Sequence, residues 1–473
     1  METITRLVEK GTAWAITQRQ NRVPYQAENP FLAGAFAPLK EEYTETELQV
    51  TGTIPQELTG LLLRIGPNPQ HVANPATYNW FLGDGMVHGL RLQEGKAQWY
   101  RNRYIGTDSI NTKRGLPLVD GARRGIFDTV NTNIIGHQGK LWALVEAGSY
   151  PAQLDNQLNT VKMGLFDSDI NSSFTAHPHV DPDTGEMHAI CYDGLLHRRI
   201  NYLVIGTDGQ VKRQVTIPLT HGPMIHDCAI TKNNVVILDL PVHFSVKTAL
   251  AGGGLPYAWD EKQPARIGLL PRHGQADDMR WFDVDPCYCF HICNAFEESN
   301  GDTIVDLVVH GRTFYRSLQG PEAENIKFER WLLPANGSRV QRKVISLEAQ
   351  EFPRFDERLT GKSYRYAYAV GIAASDEVPQ PNALFRHDLQ TGETIKHDYG
   401  ANYVTGEVVF VPSHANSAED EGWLMSYVHN LVCGTSRVVI LDAKKLGQTP
   451  QAIIELPVRV PLGFHGNWVA DAS

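Results

Sequence analysis

The chain has 473 residues, 42% hydrophobic, 9% aromatic and 20% charged, enough for roughly two to four domains or one large single-layered architecture. A net charge of −10 and a pI near 6.0 argue against nucleic-acid binding, which needs a basic footprint. Mean hydropathy is −0.29 and no run of about 18 apolar residues occurs, which argues against a membrane-spanning helix.

The first twenty residues carry the best helical periodicity, with Ile4, Leu7, Val8 and Ile16 able to share a face near Trp14. They predict a helical extension within residues 1–25. No apolar signal core is present there, and six cysteines in so long a chain form no disulfide framework. A reducing cytoplasm is the expected compartment. Beyond the extension, short β-branched or aromatic runs follow one another: VNTNIIGHQGKLWALVE (130–146), GEMHAICYDG (185–194), NNVVILDLPV (233–242), DTIVDLVVHG (302–311), GWLMSYVHN (422–430) and SRVVILDAKK (436–445). Turn signals separate them, at DPDTGE (181–186), GTDGQ (206–210), ANGS (335–338) and LQTGE (389–393). No strict repeat is visible. Hairpins scattered evenly over more than 400 residues, with no clear linker, favour one β-propeller spanning 1–473; a two-domain all-β chain is the alternative.

The densest cluster of metal-ligating residue types is DPCYCFHICNAFEE (285–298), with Cys287, Cys289, His291 and Cys293 at alternate positions. If the segment is a strand, all four share a face but are spaced about 6.6 Å apart, so the outer cysteines lie about 20 Å from each other. A single ion holds its ligands at roughly 2 Å, so the four cannot converge on it. The cysteines are expected to be packing residues and His291 at most one ligand. Three other histidines stand beside Gly, Pro or Asp at predicted strand ends: His177 in FTAHPHVDPDTGE, His226 in HGPMIHDCAIT and His465 in PLGFHGNWVA. Their separations, 49, 65 and 174 residues, exclude a local motif but permit one ligand from each of four blades.

Taken together, the motifs resemble the carotenoid cleavage oxygenases, non-haem iron enzymes that split a polyene double bond with dioxygen. The likeness runs through NPFLAGAFAPLKEE (29–42), LLLRIGPNP (61–69), NWFLGDGMVHG (79–89), YRNRY (100–104), VNTN (130–133), LWALVEAGSYPAQLD (141–155), FTAHPHVDPDTGEM (174–187), MIHDCAIT (224–231), CFHICNAFEE (289–298), EFPRFDER (351–358) and GFHGNW (463–468). The resemblance implies a seven-bladed propeller with a dome of loops over one Fe(2+) per chain. It implies His177, His226, His291 and His465 as ligands, with Glu146, Glu351 and Glu407 as outer carboxylates hydrogen-bonded to them. Glu146 and Glu407 sit in apolar runs, where an unpaired carboxylate would be costly. Four neutral imidazoles suit iron, copper, zinc or nickel, and outer carboxylates raise their basicity and fix their tautomers.

The same resemblance divides the family into carotenoid or apocarotenoid cleavers and phenolic-alkene cleavers that act on stilbenoids or propenylphenols. The phenolic branch pairs a tyrosine with a lysine directly before the outer glutamate. Tyr104 matches the tyrosine, but Val145 stands at the lysine position and removes the cation that would stabilise a phenolate. The expected activity is oxidative cleavage of a carotenoid or apocarotenoid C=C bond to two carbonyl products, with phenolic alkenes as the alternative. A third reading, a propeller serving only as a binding scaffold, does not account for the glutamates. Leu82 departs from the aspartate of plant-like members. Thr132, Phe290 and Phe296 join Tyr104 and Val145 as candidate lining of the substrate or dioxygen site, with an ordinary β-branched strand residue the alternative for Thr132 and core packing the alternative for the two phenylalanines. The apolar, glycine-rich segment 240–259 is a candidate for peripheral membrane contact, with loop packing the alternative. The expected partners are an apolar polyene and dioxygen, with no nucleic acid and no protein partner.

Overall fold

The computed structural model describes residue 11 and residues 17–122, 128–169, 172–193, 198–251, 255–314, 325–373 and 380–471. Most of the predicted N-terminal helix, including Ile4, Leu7, Val8, Trp14 and Ile16, lies outside them; residues 17–20 are helical. The rest is almost wholly β, arranged as seven blades whose strands run antiparallel except Asp120–Gly121, which pairs parallel with Thr160–Met163. Three blades are plain four-stranded meanders, for example His179–Val180, Met187–Tyr192, Arg199–Ile205 and Val211–Pro218. All four turn signals named above join adjacent strands within a blade.

The apolar runs and the blade geometry explain each other. Middle strands have a neighbouring blade on both faces, so they are buried throughout, as in Met187–Tyr192 and Thr303–Val309. An outer strand such as Val211–Pro218 alternates instead, with Val215 and Ile217 inward and Lys212, Gln214 and Thr216 exposed. Tight hairpins join neighbouring strands where two successive residues take positive φ. Glu94–Gly95 joins Gly85–Gln93 to Lys96–Tyr104, and Gln138–Gly139 joins Asn133–His137 to Lys140–Leu144.

Two latches close the ring. The C-terminal strand Gly466–Ala470 is the first strand of a blade otherwise built from the N-terminal part, pairing Leu61 with Val469 and Arg64 with Gly466. In the adjoining blade, Gln49–Gly52 forms the outer strand beside Ala452–Leu456. Just ahead of the first latch, Gly463 meets Gly66, and no side chain fits between them. A Cβ on Gly463 would stand 2.8 Å from the Gly66 Cα and 2.9 Å from the Ile65 carbonyl oxygen. Gly463→Ala is therefore expected to force the latch apart and cost about 1–3 kcal/mol, read as a lowered denaturation midpoint. An unchanged midpoint would show that this contact does not set the closure.

Candidate metal centre

Each blade brings the start of its first strand to the ring axis. In chain order the residues there are Thr132 before Asn133–His137, His177 before His179–Val180, His226 before Cys228–Ile230 and His291 before Ile292–Glu297. Glu351 lies within Gln350–Arg354, and Glu407 occupies the break between Tyr403–Thr405 and Val409–Pro412. His465, immediately before Gly466–Ala470, completes the circle. The four histidines are buried and their ligating nitrogens all lie within 4.8 Å of one another. Nε2 of His226 is 3.1 Å from that of His177 and 3.3 Å from that of His291, and His291 is 3.2 Å from His465.

The opposite edges of three rings face carboxylates. His291 Nδ1 is 2.5 Å from Glu351 Oε2, and His465 Nδ1 is 3.2 Å from Glu407 Oε1. His226 Nδ1 is 2.9 Å from Glu146 Oε2, in contact but out of line for a full hydrogen bond. A carboxylate accepting from Nδ1–H fixes the tautomer in which Nε2 carries a lone pair. Burial, reinforced by the neighbouring histidines, drives His177 well below the ordinary imidazole range. Burial takes His465 to about 4 although Glu407 pulls the other way. At His291 burial is outweighed by Glu351, which keeps the imidazole more basic than usual. Burial would raise both carboxyls, but His291 and His310 hold Glu351 below the ordinary range, and Arg354 and His465 hold Glu407 at about 2. Lone pairs meeting at 3.1–3.3 Å repel unless a cation sits among them, and a ring of neutral imidazole donors fits a borderline transition-metal ion.

Several residues that build this arrangement escaped sequence reading. His310 Nε2 donates to Glu351 Oε1 at 2.6 Å, and Arg354 Nη1 donates to Glu407 at 3.3 Å. Asp227, next to His226 in the chain, ties three blades together. Its Oδ1 accepts from Cys228 N at 2.7 Å and faces His179 Nε2 at 3.1 Å, while Oδ2 accepts from Ile292 N at 2.8 Å. Every one of those partners is one or two residues from a centre histidine. The only local signal was a carboxylate directly beside a candidate ligand. Phe352, at a bulge with φ of 54°, lays its ring against His291 and His465, with centroids 5.1 and 5.3 Å apart.

The 285–298 segment is not one long strand. It is irregular through His291, apart from a bridge from Tyr288 to His310, and becomes a strand only at Ile292–Glu297. Cys287, Cys289 and Cys293 are buried and free, and the centre receives His291 alone from this segment. A second buried group, His221, Asp239 and His243, does not suit a metal. The two rings stack at 3.8 Å and 21°, so their in-plane lone pairs do not converge, and Asp239 already holds His221 and Arg266.

A cavity of about 600 Å³ reaches the centre, with His226, His291, His465, Glu146 and Glu351 on its wall. Thr132, Val145 and Phe290 line it, the last standing edge-on to His226. Two lining candidates are placed elsewhere. Tyr104 is off the cavity wall, and its hydroxyl donates to the Leu39 carbonyl and accepts from Asn68. Phe296 lies five residues along the strand from His291, about 16 Å at strand rise, and packs on Tyr364 in the blade core. Most of the wall is supplied by residues not singled out in the sequence, among them Phe31, Trp80, Phe81 and Phe464.

The family model described as RPE65, retinal pigment epithelial membrane protein, matches residues 36–470. A carotenoid cleavage oxygenase of Mycobacterium tuberculosis is 38% identical across 94% of this chain and 98% of its own length. The chain belongs to the carotenoid cleavage oxygenase family. A carotenoid 9,10(9',10')-cleavage dioxygenase of Crocus sativus is 34% identical over 98% of this chain and 92% of its own length. Among solved structures, lignostilbene dioxygenase of Pseudomonas brassicacearum superposes with a TM-score of 0.85 at 28% identity, covering 95% of this chain and all of that one. Cobalt-substituted Synechocystis ACO gives 0.80 at 25%, covering 92% of this chain and 97% of that one.

Asp227→Asn tests how the centre is held. The amide would turn an N–H toward either Ile292 N–H or Cys228 N–H, and metal affinity is expected to fall about 10- to 100-fold in a chelator competition, with the fold retained by circular dichroism. Unchanged affinity would remove Asp227 from the account.

Proposed function

We propose that the chain is an iron(II)-dependent dioxygenase that cleaves a C=C bond of a carotenoid or apocarotenoid, both oxygen atoms ending in two carbonyl products. The observation that carries this reading is the opening of an apolar cavity onto buried, carboxylate-backed imidazoles. His177, His226, His291 and His465 would hold the ion, and iron(II) bound there would supply dioxygen activation. The protein's own task is then placement. Phe290 and Phe352 wall the centre with rings, and Phe31, Trp80, Phe81 and Phe464 line the cavity with apolar surface that replaces water around a polyene. Glu146, Glu351 and Glu407 hold the rings of His226, His291 and His465 in place and keep them good donors. Thr132, whose hydroxyl donates to Asn131, gives a small side chain to the same wall.

The phenolic alternative is disfavoured by two placements. Val145, not a cation, stands on the wall beside Glu146, and the Tyr104 hydroxyl is engaged away from the cavity. The likeness to a lignostilbene dioxygenase is one of fold.

Apolar substrate would be taken up at a lipid surface. Leu82, on the cavity wall, is 50% exposed, and Val246, at the start of the short helix Val246–Ala251, is 56% exposed. Among the described residues no helix is long and apolar enough to cross a membrane.

The test is anaerobic loading with Fe(II), then incubation with carotenoids, β-apocarotenals and 4-hydroxystilbenes under oxygen, with products identified by mass spectrometry. Paired carbonyl fragments are expected from the polyenes, and His226→Ala should abolish them while leaving the β-rich circular dichroism spectrum intact. Turnover of stilbenes alone, or full activity of His226→Ala, would overturn the reading.

A further inference from the structure

One charged group on the cavity wall makes no hydrogen bond to the centre. Arg64 stands in Gly60–Pro67, the strand paired with the C-terminal latch, with Gly466 opposite it on one side and His88 on the other. It is 4% exposed, lines the cavity, and among the described residues its side chain makes no hydrogen bond; the Nε in particular is buried without a partner. Glu407 and Tyr427 are close enough to favour its charge. The Glu407 carboxylate, however, is already engaged by His465 Nδ1, Arg354 Nη1 and the Gly466 N–H at 2.8 Å, and the Tyr427 hydroxyl donates to the Leu62 carbonyl. Burial pulls the guanidinium down to about 10, so it stays protonated at neutral pH. Its approach to the wall requires Gly406, because a Cβ there would overlap the guanidinium.

A buried guanidinium needs oxygen acceptors, and Arg64 lies on the cavity wall. Water would supply them while the cavity is wet. A polyene that fills the cavity drives that water out, and a pure hydrocarbon would leave a bare cation against it, which is costly for every unpaired donor and more so for a charged one. A substrate ending in a carbonyl or carboxylate oxygen replaces the lost water, and the planar fork suits a carboxylate best.

We propose that Arg64 is the receptor for the oxygen-bearing end of the substrate, selecting aldehyde- or acid-ended apocarotenoids over hydrocarbon polyenes. The assignment rests on the polyene-cleaving reading for its ligand but not for its measurement. Binding is followed anaerobically by quenching of tryptophan fluorescence in the iron-loaded full chain, and turnover under oxygen in the same detergent. The three ligands are a β-apocarotenal, the matching apocarotenoic acid and β-carotene. Arg64→Met is expected to raise the dissociation constant and KM for the aldehyde and the acid at least tenfold, and to leave β-carotene within twofold. Arg64→Lys, which keeps the charge but not the fork, should fall between, with a larger loss for the acid than for the aldehyde. It carries the comparison alone if Arg64→Met does not retain iron. Equal losses for all three ligands would make Arg64 a structural residue and overturn the proposal, as would no loss, or a preference for the hydrocarbon in the unaltered protein. Arg64-dependent binding of the oxygenated ligands without cleavage of any polyene would uphold the receptor and sink the proposed reaction.

Discussion

Four lone pairs aimed at one point are the constraint around which this molecule is arranged. Imidazole nitrogens 3.1–3.3 Å apart repel, and the rings hold that position because carboxylates back three of them and the blades fix the backbone on either side. A propeller meets this demand directly. Seven first strands end around one axis, each able to deliver one side chain, and no local motif is needed. The separations of 49, 65 and 174 residues that look meaningless along the chain are whole numbers of blades around the ring.

The placement of the carboxylates follows the same logic. Glu351 and Glu407 stand on successive blades where the three before them carry histidines, so the ring passes from imidazole to carboxylate without changing architecture. Each carboxylate also binds backbone: Glu351 accepts from Phe352 N at 2.6 Å and Glu407 from Gly466 N at 2.8 Å. Asp227 does the same across three blades. Orientation of the rings and register of the strands are therefore set by the same bonds, and loosening one loosens the other. Closure between Arg64 and Gly466 adds the last of the four histidines, so the centre is complete only when the ring is.

Much of this was legible in the chain. Strand runs with turn signals between them read as many small sheets because middle strands are buried on both faces, and the four histidines each carried a strand-end context. The motif order added the family, and through it the glutamates. What was not legible depends on contact across blades. His310 and Asp227 act on residues 41 and 65 positions away, Glu351 and Ile292, and the one local hint is that Asp227 directly follows His226. Tyr104 and Phe296 failed as lining candidates because nearness to a motif does not set side-chain direction; one turns to Leu39 and the other lies out along its strand. The cysteine-rich segment misleads for a related reason: alternate spacing looks like a ligand set but delivers only His291 to the axis.

The most direct measurement is iron K-edge X-ray absorption of the anaerobically loaded protein, with iron counted per chain. The account predicts one iron with a nitrogen and oxygen coordination shell showing imidazole scattering from four rings and no sulfur. Sulfur scattering from Cys287, Cys289 or Cys293, or no bound iron at all, would contradict it.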